Sequence, residues 1–385
     1  MSQPLDAPSR AVQSPPIDAR GDIVELARAL CDMPSESGRE AALADSIEAL
    51  LEECDHLRVT RLGNTVVART DLGRERRVVI AGHIDTVPIN DNVPTRFETL
   101  SEEDAKADVP GTKPGEYLWG RGTVDMKSGV AIQLKLAVEL TEPVTDITWM
   151  FYDNEEVSAE LNGLKKLAEA RPDLFEADFA ILGEPTSAEI EGGCNGTLRA
   201  EIRTRGRRAH SARAWAGSNA IHAAAPILNR LSEYEPASVE VEGLTYREGL
   251  NAVGIHGGIA GNVIPDACMV EVNYRFAPDK NIDAAKRVIE DLFDGFEIEF
   301  VDLAEGARPG LDQPVAAEFL KAVGATAKPK YGWTDVARFS AMGVPAVNFG
   351  PGDAQKAHAD DERVLLEEIR TVERALRAWL TGGDA

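Results

Sequence analysis

No run of about eighteen apolar residues occurs in this chain, so no helix is expected to cross a membrane. Residues 1–20 carry Pro and Ser but lack the apolar core of a secretory leader, and they are expected to form a disordered lead-in. Cysteine is sparse. Cys31, Cys54, Cys194 and Cys268 are far apart and make no C-x-x-C pair, which argues against a disulfide framework and points to reduced thiols in the cytoplasm. Basic charge is short as well: 41 Lys and Arg stand against 65 Asp and Glu, a net charge of −24. Such a chain repels phosphate, so neither nucleic acid nor an anionic membrane is expected as a partner. Histidine is limited to six residues, and no internal repeat is visible. The remaining composition, 43% apolar and 28% charged, is that of a folded protein with a real core. A length of 385 residues allows one large domain or two ordinary ones.

Helical spacing runs through residues 22–54, with Ile23, Leu26, Ala27 and Leu30 on one face and Leu43, Ile47, Leu50 and Leu51 on a second stretch. Strands are expected at 57–61, 65–69 and 77–81. The last of these reads VVIAGHID, apolar and β-branched and then abruptly polar, the pattern of a buried strand that delivers side chains to a loop. DITWMFYDNEEV and ADFAILGEPT repeat it. Residues 90–118 are polar, contain Pro and Gly, and read as an irregular excursion. The helices VAIQLKLAVEL and GLKKLAEAR alternate with these strands, which predicts an α/β domain with a mixed, mainly parallel sheet flanked by helices.

From about residue 197 the texture changes to alternating, half-exposed strands (TLRAEIRTRG, SVEVEG, NAVGIHGGIAG, CMVEVNYRF, FEIEFVDL) and two amphipathic helices. The order is β-α-β-β-α-β plus one extra strand, which predicts an inserted ferredoxin-like α+β domain at 197–305. Residues 21–196 and 306–385 would form the first domain, closed by the helix PVAAEFLKAVG, the strand VPAVNFGPG and the final helix LLEEIRTVERALRAWL.

Chemistry-bearing residues gather where the apolar strands end. His83 and Asp85 lie in GHIDTVP, and His358 and Asp360 in KAHADDE; Asp125, the pair Glu155–Glu156 and Glu184 lie at matching junctions. In α/β sheets such carboxyl ends are where sites form. Neutral imidazole and carboxylate suit zinc, and two metals about 3.5–4 Å apart can share a carboxylate and a water. In His-x-Asp the Asp can accept the ring's second N–H and fix its tautomer. Of two adjacent glutamates, one can bind metal while the other carries a proton. His56, His222 and His256 lie outside these motifs and read as structural or exposed.

Taken together, GHIDTVP, GRGTVDMKSG, DNEEV, LGEPT and AHADDE resemble the metal motifs of the M20 family of metallopeptidases and deacylases, and the resemblance covers nearly all of the chain after residue 20. It implies two divalent ions, zinc or cobalt in its place, with His83 and Glu184 completing one, Glu156 and His358 the other, and Asp125 between them. It implies Glu155 as general base, Asp85 as the support of His83, and a cis peptide after Asp125. His210 would stabilise the oxyanion, often across a homodimer formed by the inserted lid domain, and Asn262 carries over in the same way. Within the family, GCNGTLRAE, VNYRFAPD and YGWTDVARF resemble the branch acting on N-succinyl-LL-2,6-diaminopimelate, on the route to lysine and cell wall. Acetylornithine deacetylases, aminoacylases and carboxypeptidases are the alternative branches. Other members carry paired arginines where this chain reads Cys194-Asn195. Arg275, ahead of Arg199, is then the expected cation for the small-molecule substrate's carboxylate. Thr334 and Gly350 are further substrate-binding candidates, Thr334 equally being a good helix N-cap.

Overall fold

The structure, a computed structural model, describes residues 17–383. Most of the expected lead-in lies outside the described residues. Residues 17–20 depart from that expectation: Ala19 is buried and Ile17 packs against the core.

Eight strands form the main sheet. Asp146–Tyr152, Arg77–His83, Phe179–Leu182 and Ala346–Asn348 run parallel through its middle. An antiparallel hairpin, Arg58–Leu62 with Thr65–Arg69, forms one edge, and Ile190–Gly192 with Ala327–Pro329 forms the other. The central strands are apolar throughout because helices cover both faces. Val78 and Ile80 point into a core with the helices Ile23–Cys31, Ala41–Glu52, Lys127–Glu139, Pro314–Val323 and Leu366–Thr381. Val79 and Ala81 point the other way, toward Leu164, Leu167, Val336 and Phe339. Alternate residues of a strand must face opposite ways, so one continuous apolar run fills both cores.

The segment 90–118 is more regular than its polar composition suggested. Arg96–Leu100 and Gly115–Trp119 pair in an antiparallel three-stranded sheet with Arg363–Leu365. Ser101 and Asp104 form a capping box on the short helix Glu102–Ala107. Arg96–Leu100 is largely exposed, so it lacks the apolar alternation that marks a strand in sequence.

Gly249–Gly257, Ala267–Phe276, Gly196–Arg205 and Glu297–Ala304 make a second, fully antiparallel sheet in that spatial order. This is the ferredoxin-like arrangement expected. Leu198, Ala200, Val270, Val272 and Tyr274 bury one face against Ile227, Ile289 and Phe293 of its helices. The expected single helix over 217–234 is two, Ala220–Ala223 and Ala225–Ser232, with Pro226 restarting the second. The segment SVEVEG pairs with Leu244–Arg247 as a separate hairpin. Tyr246 of that hairpin donates its hydroxyl to the Gly192 carbonyl at 2.6 Å. The chain enters and leaves the second sheet through a reciprocal backbone pair, Cys194 with Ala307, at 3.0 Å in each direction.

Candidate metal centre

Three of the four parallel strands stop where their apolar runs stop, and the next residues turn polar side chains to one edge of the sheet. His83 closes its strand and is fully buried. Its Nε2 lies 3.0 Å from Asp125 Oδ1. His358 Nε2 lies 3.4 Å from the other oxygen of Asp125 and 3.1 Å from Glu156 Oε1. His83, Asp125 and Glu156 each present a ligand atom within 4.8 Å of the others. The bond between Asp125 and Met126 is cis.

Asp85 has a broader task than expected. His83 Nδ1 is nearer the Asp85 backbone carbonyl, at 3.1 Å, than its carboxylate, at 3.5 Å. That carboxylate accepts the backbone N–H groups of Glu155 at 3.0 Å and Glu156 at 3.2 Å, and the Ser37 hydroxyl at 2.7 Å. Asp85 therefore orients both the imidazole and the two-glutamate loop. His358 does not end a strand. It lies in the loop after the short helix Ala354–Lys356, with its side chain 53% exposed and its backbone at φ 65°.

The electrostatics are those of an acid cluster waiting for positive charge. Burial together with the charge of Asp125 pushes the Glu184 carboxyl up to about 8, against the pull of His83 and Lys330. Burial raises Glu155 well above the carboxylate range, with Asp335 and Glu184 adding to it and His83 opposing. Asp125 and Glu156 hold a proton on His358, up to about 10. Burial opposes charge on His83, yet Asp125 and Asp85 outweigh it and raise its pKa well above the imidazole value. Glu184 Oε1 is buried with no hydrogen-bond partner. An orphaned buried carboxylate oxygen is costly unless a cation meets it. A donor set of two imidazoles and three carboxylates suits divalent zinc or cobalt.

The remaining expected residues are dispersed. His210 is exposed; its Nδ1 accepts the Ala212 backbone N–H, and no hydrogen bond or ion pair links it to the cluster among the described residues. Asn262 sits beside it, its carbonyl accepting the Ser211 N–H at 2.9 Å. Arg199 lies between Asp302 at 3.3 Å and Glu271 at 3.4 Å. Arg275 is half-buried and bonds Asn273 at 3.0 Å. Burial lowers its pKa. The Thr334 hydroxyl donates to Asn348 at 3.2 Å and does not cap a helix; Asp335 holds the N-cap position of Val336–Ala341. Gly350 is backbone support: a Cβ there would lie 2.3 Å from the Gly183 carbonyl oxygen and 2.5 Å from that of Glu184. Cys194 and Asn195 are buried in the crossover. A cleft of about 930 Å³ runs from Glu155 past Lys165, Thr197, Arg199, Asp302 and Trp333.

The sequence profile of peptidase family M20/M25/M40 matches residues 79–381. This chain belongs to that family. Over 369 residues this family member is 49% identical to a Mycobacterium tuberculosis protein provisionally named succinyl-diaminopimelate desuccinylase, spanning 95% of this chain and 100% of the relative. It is 44% identical over 378 residues to the succinyl-diaminopimelate desuccinylase of Corynebacterium glutamicum, spanning 95% and 98%. Among solved structures, a tripeptidase from Staphylococcus aureus superposes with a TM-score of 0.72 at 18% identity, covering 95% of this chain and 99% of that one. The Bacillus subtilis YXEP protein, described as a dinuclear metal-binding peptidase of family M20, gives 0.66 at 18%, covering 93% and 96%.

Three supports went unread in the sequence. Ser37 anchors Asp85. Lys330 pairs with Glu191 at 2.7 Å and reaches the Pro185 carbonyl beside Glu184 at 3.4 Å. Arg121 and Glu362 form a buried ion pair at 2.7 Å. The last had a signal: both are charged residues inside motifs that also carry candidate ligands, GRGTVD and AHADDE.

Proposed function

We propose that the chain hydrolyses N-succinyl-LL-2,6-diaminopimelate to succinate and LL-2,6-diaminopimelate. Two divalent cations, zinc or cobalt, would be held by His83, Asp125, Glu156, Glu184 and His358. The observation that carries the reading is the convergence of these side chains from separate loops on one edge of the sheet, around a carboxylate whose two oxygens face different imidazoles. That division supports Asp125 as the shared ligand, with His83 and Glu184 on one side and Glu156 and His358 on the other. The names of the two actinobacterial relatives support the substrate. When bound, the cations supply Lewis-acid polarisation of the scissile carbonyl and a more acidic attacking water.

The residues do the rest. Glu155, half-buried and lining the cleft, takes the proton from the attacking water. As the carbon–nitrogen bond breaks, Glu155 passes that proton to the leaving nitrogen, which departs as the amine. Arg275, whose guanidinium has no carboxylate partner among the described residues, is proposed to take a substrate carboxylate, and Thr334 is proposed as a further substrate contact. Gly350, which fits closely behind Glu184, is also proposed to line the substrate site. His210 and Asn262 stabilise the oxyanion from the partner of a homodimer. The edge strand Gly249–Gly257 supports this, because its outer edge has no strand partner among the described residues and its Val253 and Ile255 are exposed. Residues 197–305 act as the lid and dimerisation domain. No helix among the described residues is long and apolar enough to cross a membrane, and a cytoplasmic setting is proposed.

The test is succinate release from N-succinyl-LL-2,6-diaminopimelate by the metal-loaded enzyme, run beside N-acetylornithine and a dipeptide. Preferred turnover of either alternative would overturn the substrate assignment.

A further inference from the structure

We propose that Arg121 and Glu362 are positioning residues whose buried ion pair locks the His358 loop to the Asp125 loop. The pair thereby sets the affinity of the metal position that Asp125 and His358 share with Glu156. This rests on the two-metal reading above.

The geometry is specific. Glu362 Oε1 accepts the backbone N–H groups of Val124 at 2.9 Å and Asp125 at 3.1 Å. Its other oxygen meets Arg121 Nη1 at 2.7 Å. The guanidinium then spreads its remaining donors over backbone carbonyls: Ala359 at 3.2 Å, His358 at 3.5 Å and Pro88 at 3.2 Å. One ion pair, with side chains 4% and 1% exposed, thus ties together three ligand-bearing segments.

His358 depends on this more than His83 does. His83 is fixed by its strand, with neighbours paired on both sides, and by Asp85. His358 stands on an irregular loop, half-exposed, in the left-handed region that a non-glycine residue holds only when its surroundings over-determine it. Arg121 supplies that determination by gripping the carbonyls of His358 and Ala359. Only a planar fork with several donors reaches all of these acceptors at once.

The experiment is calorimetric titration of the metal-free, full-length protein with zinc. Glu362→Gln keeps an acceptor for the two N–H groups but removes the charge facing Arg121. Arg121→Lys keeps the charge but removes the fork. In each, one of the two sites should weaken about ten- to hundredfold, the usual effect of losing a ligand's support, while the other holds. Excess zinc should restore kcat with KM unchanged, a rescue that a general loss of structure would not give. Should Arg121→Lys fail to fold, Glu362→Gln decides. Two unchanged sites, or equal weakening of both, overturns the proposal. Failure of the two-metal reading shows separately: a wild-type protein with fewer than two tight sites overturns that reading and this inference with it.

Discussion

Replacing Gly350 by alanine puts a methyl group where the chain has no room. The added carbon would lie 2.3 Å from the Gly183 carbonyl oxygen, 2.5 Å from that of Glu184 and 2.7 Å from the Gly183 carbonyl carbon. All three are backbone atoms, so no side chain can swing aside. The Gly183 carbonyl cannot retreat either, because Gly129 backs it from another direction, where a Cβ would also lie 2.3 Å away. One of the two loops must therefore move, and the Glu184 loop carries a proposed ligand. Overpacking of this kind costs about 1–3 kcal/mol. In a domain this large that lowers the melting temperature by roughly 2–8 °C. Displacement of Glu184 should also weaken one zinc site about tenfold or more, since ligands tolerate little misplacement. The assays are thermal unfolding of the metal-free protein and zinc titration, with Gly332→Ala as control, because a Cβ at Gly332 meets nothing within 4 Å. If Gly350→Ala matches the control in both, the packing of Gly350 behind Glu184 is wrong.

Glu155→Gln should lower kcat by about 10²- to 10⁴-fold with zinc content unchanged, as expected for a proton carrier that is not a ligand; retained kcat would remove it from the mechanism. His210→Ala should abolish activity, and mixing it with inactive Glu155→Gln chains should restore part of the activity in mixed dimers. No complementation would place His210 in its own chain's site or outside the reaction. Asp108, held well down at about 2 against its burial by Lys356 and Arg363, stabilises the fold only while ionised. Because its folded pKa is depressed, that stability is full above 3.8 and is lost as pH falls toward about 2. Asp108→Asn should cost about 1–2 kcal/mol in urea unfolding at neutral pH, allowing for solvent screening, with the gap closing below pH 4.

The parallel sheet was legible because burial on both faces forces long apolar runs, and the abrupt ends of those runs pointed to His83, Glu155, Glu156 and Glu184. The antiparallel sheet at 96–119 was not legible, since solvent on its surface permits any polar residue there. His358 was found through its motif, not its setting, which is a loop with no strand before it. The division of labour at Asp85 could not be read either: a carboxylate that receives two backbone N–H groups from residues 70 and 71 positions away leaves no local pattern. The close packing of Gly350 behind Glu184 was not legible either, because it is given through the absence of a side chain. Arg275 stood ahead of Arg199 in sequence, but no local pattern showed that strand pairing holds Arg199 between Glu271 and Asp302.

The central claim is that five converging side chains hold two cations that the reaction requires. The direct measurement strips the protein with chelator, then adds zinc or cobalt stepwise while counting bound ions and succinate released from N-succinyl-LL-2,6-diaminopimelate. Activity absent in the stripped protein, and restored as binding rises to two ions per chain, is the predicted result. Full activity without metal, or two ions bound with no hydrolysis, would contradict it.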